Sequence, residues 1–229
     1  MFGIIAAAGL GHRFGDIKKQ FLKIKGEYIL ELSVKKFLEC GIPKIIISTT
    51  KNDIKKVKEI LKNYEKNIHF VEGGKTRQES VKNAFLFGIQ NNKNEDIVLI
   101  HDAARPFFDK KKLLELIQTV KKTNAAILAT KVVDTVKFTT DGQIKKTIDR
   151  QNLFLAQTPQ AFSAKLYEHA LKNAEKKGFE CTDDSEMVEK LNEKVTIIES
   201  SKKNFKITTK EDLKYAEFLM SFEKNITIS

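Results

Sequence analysis

With 229 residues, 41% of them hydrophobic, 31% charged and only 3 proline, the chain has the composition of a globular protein, which excludes a disordered, linker-like or repetitive one. Cys40 and Cys181 have neither the spacing of a zinc site nor that of a disulfide framework, which fits reduced thiols in a cytoplasmic protein, and no apolar run approaches the roughly 20 residues needed to cross a bilayer. The net charge of +11 admits an anionic substrate, a nucleic-acid surface or a merely lysine-rich one, but among 41 basic residues only Arg13, Arg77, Arg105 and Arg150 are arginine, which marks places where a rigid two-pronged fork suits a phosphate.

Residues 2–8 are apolar without alternation, the pattern of a strand covered on both faces in a parallel sheet, and no positive charge precedes them as in a secretory signal. A loop at 9–26 leads to a helix at 28–38 and a second buried strand at 44–48, the start of a β-α-β unit. The rhythm continues with a helix near 53–63, a strand near 68–71, a helix near 77–90, a strand at 96–101, a helix near 110–122 and a strand near 125–130. Strand, helix, strand implies right-handed crossovers in a mostly parallel sheet with helices on both faces. At 136–148 the pattern changes to two runs rich in Val, Phe, Thr and Ile around Asp141-Gly142, a hairpin signature. With so little helix to pack on, such a hairpin reads as an arm that buries its apolar face on another subunit. Helices near 164–176 and 184–191, strands near 195–198 and 205–207 and a helix at 210–222 complete one domain spanning 1–229, with the dimerisation arm at about 133–150.

In open α/β sheets ligands bind beyond the carboxyl ends of the strands. After the first strand, Ala7-Ala8-Gly9-Leu10-Gly11-His12-Arg13 offers backbone amides that can approach an anion, with Arg13 and Lys19 supplying charge, as in a polyphosphate cradle. It is not a dinucleotide fingerprint, because Phe14 stands where that motif needs glycine, and no P-loop Gly-Lys-Ser/Thr follows. After the third strand, the Gly73-Gly74 turn into a helix carrying Arg77 and Ser80 can read a base or a phosphate. After the fourth, Asp102 stands where it could meet a divalent cation, with Arg105 three residues on; a single acid suffices for Mg²⁺ when substrate phosphates complete its shell. His101 reads as structural, since no histidine or cysteine is spaced to join it as a ligand.

Gly-x-Gly-x-Arg at 9–13, Lys19-Gln20-Phe21-Leu22, Gly73-Gly74-x-x-Arg77-x-x-Ser80-Val81, His101-Asp102-Ala103-Ala104-Arg105-Pro106, Val133-Asp134-Thr135, Thr147-Ile148-Asp149-Arg150, Gln157-Thr158-Pro159-Gln160, Thr182-Asp183-Asp184 and Asn204-Phe205-Lys206-Ile207-Thr208 resemble, in that order and over essentially the whole chain, the 2-C-methyl-D-erythritol 4-phosphate cytidylyltransferases of the non-mevalonate isoprenoid pathway. The resemblance implies a Rossmann-like nucleotide-diphospho-sugar transferase fold in a homodimer with exchanged hairpin arms, and transfer of a cytidylyl group from CTP with Mg²⁺. It assigns Arg13 and Lys19 to the CTP phosphates and the transition state, and Arg150 and Lys206 to the substrate phosphate. Ala7, Ala8, Gly9, Leu10, Gly11, Gly74, Lys75, Ser80 and Ala103 would border the nucleotide. Asp102, Arg105, Thr135, Thr158 and Thr182 would line the methylerythritol pocket, Arg105 and Thr135 reaching it from the partner subunit, with Asp102 also a metal ligand. Two positions depart from the pattern. Lys18 stands where the family commonly carries proline, so that Lys18 and Lys19 are both candidates to face the phosphates, and Phe205 stands for the usual isoleucine.

The sister ribitol-5-phosphate cytidylyltransferases share the nucleotide half, but Ala104 and Thr147-Ile148-Asp149-Arg150 resemble the methylerythritol type. A nucleic-acid-binding module would need arginine or aromatic clusters on one face, which four scattered arginines do not supply. A nicotinamide-dependent oxidoreductase is opposed by Phe14 and by Thr49-Thr50 where a ribose-binding acid belongs. No nucleic acid or membrane partner is expected.

Overall fold

A computed structural model of the chain describes residues 1–9, 18–90 and 97–226, with side chains to 222. The central sheet has seven strands: β1 (Phe2–Ala6), β4 (Ile45–Thr49), β5 (Ile68–Glu72), β6 (Ile97–Asp102), β7 (Ala125–Lys131), β10 (Phe154–Ser163) and β11 (Thr196–Glu199). Their spatial order is β11-β7-β10-β6-β1-β4-β5. All neighbours pair in parallel except β10, which runs antiparallel to both β6 and β7. This is the mostly parallel α/β architecture that the sequence implies.

The continuous apolar runs of β1, β4 and β6 follow from double coverage. Ile5, Ile45, Ile47 and Leu99 face one layer with α1 (Ile29–Glu39) and α4 (Lys110–Thr123), where Leu30, Val34, Phe37, Leu113 and Leu116 are buried. Phe2, Ile4, Ile46, Val98 and Ile100 face the other, against Val81 and Phe85 of α3 (Arg77–Gln90) and Tyr167 and Leu171 of α5 (Ala164–Lys177). Each such side chain contributes on the order of 1.5–3 kcal/mol by leaving water. Helices α4 and α5 have the ends their sequence dictates: Asp109 caps α4 by accepting from Lys111 N at 2.6 Å, and Gly178 ends α5 with φ 65°. The remaining helices are α2 (Ile54–Ile60), α6 (Asp184–Glu189) and α7 (Lys210–Ile226).

Within the loop expected at 9–26, residues 10–17 lie outside the described part; the rest forms a 3-10 turn, Lys19–Phe21, and a small hairpin of β2 (Lys23–Ile24) and β3 (Glu27–Tyr28). The hairpin expected at 136–148 is present as β8 (Val136–Thr140) and β9 (Gln143–Ile148), a two-stranded sheet of its own turning at Asp141 and Gly142, with φ of 50° and 75°. Phe138 and Ile144 on it are 53% and 64% exposed.

One expectation needs correction, and one strand lies where none was expected. Residues 205–207 are not a strand: Asn204 Nδ2 donates to Thr158 O at 2.9 Å and Ile207 N to Ala104 O at 2.9 Å, so this coil is fastened by isolated bonds rather than a ladder. Conversely, β10 crosses Pro159, which argues against a central strand because proline has no N–H to give. The ladder shifts register between Ala156 and Gln160 and so passes the proline without needing that donor.

Gly88 on α3 packs against Phe2, where a Cβ would lie 2.3 Å from the ring. Alanine gains about 1 kcal/mol of helix propensity over glycine, but overpacking a buried ring costs about 1–3 kcal/mol. Gly88→Ala is therefore expected to lower the midpoint of urea unfolding; an unchanged or raised midpoint would contradict this packing.

Candidate active site

A cavity of about 450 Å³ opens at the carboxyl ends of β1, β5 and β6. From β1, Ala7, Ala8 and Gly9 form one wall; a Cβ at Gly9 would meet nothing within 4 Å, so glycine there leaves the space open. The opposite wall is the turn after β5, with Gly74, Lys75 and Ser80. That turn needs its glycines, because a Cβ on Gly73 would lie 2.7 Å from Ala8 Cβ and one on Gly74 2.3 Å from Glu79 Cβ. Ser80 Oγ accepts from Gly74 N at 3.0 Å and donates to Thr76 O at 2.8 Å, so its hydroxyl holds the turn closed. Ala103 and Lys19 also line it. Lys18 pairs instead with Asp53, so that of the two neighbouring lysines Lys19 is the one that lines the cavity.

A second cavity of about 260 Å³ adjoins the first, lined by Arg105, Thr158 and Thr182 among others. Arg77, Asp102 and Lys206 border both cavities and so form the wall between them. Asp102 is 8% exposed, and its Oδ1 accepts from Arg77 Nε at 3.1 Å while its Oδ2 lies 2.8 Å from Lys206 Nζ and 3.6 Å from Arg105 Nε. Burial alone would raise the pKa of this carboxyl; Arg77, then Lys206 and Arg105, hold it well below the usual carboxylate range. Arg105 also donates from Nη1 to Asn204 O at 2.9 Å. It thus lies in its own chain's pocket, which replaces the expectation that it arrives from a second subunit.

His101 sits beneath this wall, fully buried. Asp102 N donates to Thr158 Oγ1 at 3.0 Å, Thr158 Oγ1 lies 2.9 Å from His101 Nδ1, and His101 Nε2 lies 3.0 Å from Arg105 O. A carbonyl only accepts, so Nε2 carries the proton and Nδ1 accepts from Thr158. Burial pushes the ring down to about 3, which keeps it neutral. Thr158, expected at the substrate, borders the smaller cavity with a hydroxyl already engaged on both sides. Thr182 Oγ1 donates to Glu186 Oε2 at 2.9 Å.

Sequence reasoning marked Arg77 for a phosphate and passed over Asp184. The structure joins them: Arg77 Nη1 lies 2.7 Å from Asp184 Oδ2, and Asp184, fully buried, accepts from Tyr167 OH at 2.6 Å. The fork expected at a phosphate instead spans two carboxylates, Asp102 and Asp184. Arg150 and Thr135 are exposed at the base of the hairpin and line neither cavity; Arg150 Nη1 donates to Val133 O. Leu10, Gly11 and Arg13 lie outside the described residues.

The divalent cation expected on Asp102 does not fit this donor set. Both carboxylate oxygens already face cations, and among the described residues no group of three or more His, Cys, Asp or Glu could hold a metal.

Two measurements test these contacts. Arg77→Met leaves Asp184 buried with no cation and is expected to cost about 3–5 kcal/mol in urea unfolding, part of it regained in Arg77→Met/Asp184→Asn. A loss below about 1 kcal/mol would contradict the pairing. A histidine with a depressed folded pKa binds fewer protons folded than unfolded between about 3 and about 6.5, so its contribution is complete above about 6.5 and is lost as pH falls. Stability is expected to drop by about 2 kcal/mol from pH 7 to pH 5, at about 1.4 kcal/mol per unit below 6.5. The same drop in His101→Asn would remove His101 as its source.

A family model described as 2-C-methyl-D-erythritol 4-phosphate cytidylyltransferase matches residues 1–222. The curated protein of that name from Clostridioides difficile is 41% identical over 225 residues, 96% of this chain and 94% of the relative. Its counterpart from Clostridium novyi is 42% identical over 95% of each. A crystal structure of 4-diphosphocytidyl-2C-methyl-D-erythritol synthase from Anaerococcus prevotii superposes with a TM-score of 0.82 at 34% identity, covering 96% of this chain and 95% of that one. A Francisella tularensis 2-C-methyl-D-erythritol 4-phosphate cytidylyltransferase gives 0.81 at 35%, covering 95% and 98%. A protein with these two adjoining, cation-walled cavities and this likeness along its whole length belongs to the 2-C-methyl-D-erythritol 4-phosphate cytidylyltransferase family.

Proposed function

We infer that this chain transfers CMP from CTP to 2-C-methyl-D-erythritol 4-phosphate, giving 4-diphosphocytidyl-2-C-methyl-D-erythritol and pyrophosphate. The observation that carries the reading at the level of residues is the shared wall of Arg77, Asp102 and Lys206, which sets one cavity large enough for a nucleotide beside a smaller one rich in cations. An oxygen of the acceptor phosphate attacks the α-phosphorus of CTP, the new P–O bond forms as the bond to the β-phosphate breaks, and pyrophosphate departs. Such a transfer needs two polyanions held in line and their charge offset, and no protein nucleophile. Lys19, with Arg13 by family resemblance, holds the triphosphate and offsets charge on the departing pyrophosphate; Lys206 and Arg105 receive the acceptor phosphate. Any divalent cation comes with the triphosphate, since Asp102 is taken.

Thr135 and Arg150 complete the acceptor pocket in this reading from the hairpin of a second copy. Support comes from the arm's exposed Phe138 and Ile144 and from Arg150 and Thr135 lining neither cavity of their own chain. An isolated two-stranded hairpin is at best marginal in water, and burial on a homodimer partner accounts for it. No helix among the described residues is long and apolar enough to cross a membrane, and a cytoplasmic location with both cysteines reduced fits that reading.

The ribitol phosphate alternative is disfavoured by the family match. Pyrophosphate release from CTP with Mg²⁺, measured in parallel with 2-C-methyl-D-erythritol 4-phosphate and D-ribitol 5-phosphate, is expected with the first alone; release with only the second moves the acceptor assignment. Lys19→Ala is expected to fold and to lose ~10²–10³ in rate, the scale of a removed transition-state donor. Retention of more than about a tenth of the rate would sink that role for Lys19.

A further inference from the structure

The 3-10 turn that presents Lys19 to the larger cavity is three residues long and has no capping side-chain hydrogen bond. Both residues flanking Lys19 tie it to neighbouring elements. On the far side, Gln20 is buried and its Nε2 donates to Ala7 O at 2.7 Å, tying the turn to the end of β1. On the near side, Lys18 Nζ pairs with Asp53 Oδ2 and donates to Thr50 Oγ1 at 3.4 Å, tying the turn to the segment just after β4.

That second anchor is itself built. Thr50 Oγ1 donates to Asp53 Oδ2 at 2.6 Å and Asp53 N donates to Thr50 O at 2.9 Å, so the carboxylate is fixed on a closed turn that follows a fully buried strand. The side chains of Lys18 and Asp53 are 23% and 13% exposed, which shields the pair from the solvent and salt that weaken surface ion pairs. The third flank of the turn is also held, by Lys56 of α2 lying 4.3 Å over the Phe21 ring.

We propose that Asp53 is a positioning residue: by gripping Lys18 it fixes the backbone immediately before Lys19 and so aims the Lys19 ammonium into the nucleotide cavity. Nothing in the transfer itself needs a charge at Lys18 or Asp53, because neither borders the cavity. Their effect passes through backbone geometry, and Lys18 holds φ −70° and ψ 127°. Proline sets φ near −65° by its ring and needs no partner. A proline at position 18 should therefore replace the ion pair as the device that fixes this backbone.

The inference rests on the role proposed for Lys19, and the experiment separates the two. Steady-state rates of CTP-dependent pyrophosphate release and thermal midpoints are measured for wild type, Lys19→Ala, Lys18→Ala, Asp53→Ala and Lys18→Pro/Asp53→Ala. With Lys19→Ala nearly inactive, Lys18→Ala and Asp53→Ala are expected to lose about tenfold in kcat, within the range that misplacement of a catalytic group produces, with KM for the acceptor within about twofold. The double variant Lys18→Pro/Asp53→Ala is expected to recover to within about threefold of wild type. Wild-type kcat in both single variants overturns the proposal, and so does a loss that proline leaves unrepaired. An active Lys19→Ala overturns the role of Lys19 and this inference with it. If Asp53→Ala alone lowers the thermal midpoint, Lys18→Ala, which leaves Asp53 bonded to Thr50, decides the outcome.

Discussion

A carboxylate at the end of a strand buried on both faces stays ionised only if cations come to it, and Asp102 draws three of them from three different parts of the chain. Arg77 comes from the first turn of α3, Arg105 from the segment after β6, and Lys206 from the coil before α7. The acid therefore sets where the turn leading into α3, the 103–109 segment and the 200–209 coil meet, and each contributes to the walls of the cavities. The same arginine neutralises Asp184 and so couples α6, beside Thr182, to the nucleotide side. With two carboxylates against three cations, the wall keeps a surplus of positive charge toward the space where two anionic substrates would meet.

The hairpin obeys the opposite logic. It makes its own two-stranded sheet, leaves aromatic and aliphatic side chains in water, and carries Arg150 and Thr135 where they touch neither cavity of their own chain. Such an exposed apolar surface is suited to another surface.

How much of this could be read from the sequence depended on the range of the interactions involved. The runs at β1, β4 and β6, the bounds of α3 and the turn at Asp141-Gly142 follow from local pattern, and they lie where that pattern puts them. Strand β10 does not, because Pro159 breaks the local signal and only the register shift against β7 accommodates it. The coil at 205–207 has a strand's composition, but its bonds go singly to Thr158 and Ala104. In the site, the position of ligands beyond strand ends marked Lys19 and Asp102 and the family resemblance added Lys206, while the choice between Lys18 and Lys19 awaited Asp53, far off in the sequence. The Arg77–Asp184 pair was hidden for the same reason.

The arrangement of two substrates across the Arg77–Asp102–Lys206 wall is tested most directly by a crystal structure of the protein with CTP and Mg²⁺. The triphosphate should lie in the larger cavity against residues 7–9 and Lys19, with its α-phosphorus toward Lys206 and the smaller cavity still open. Nucleotide density in the smaller cavity, or a cation bound directly to Asp102 with Arg77 and Lys206 displaced, would contradict that arrangement.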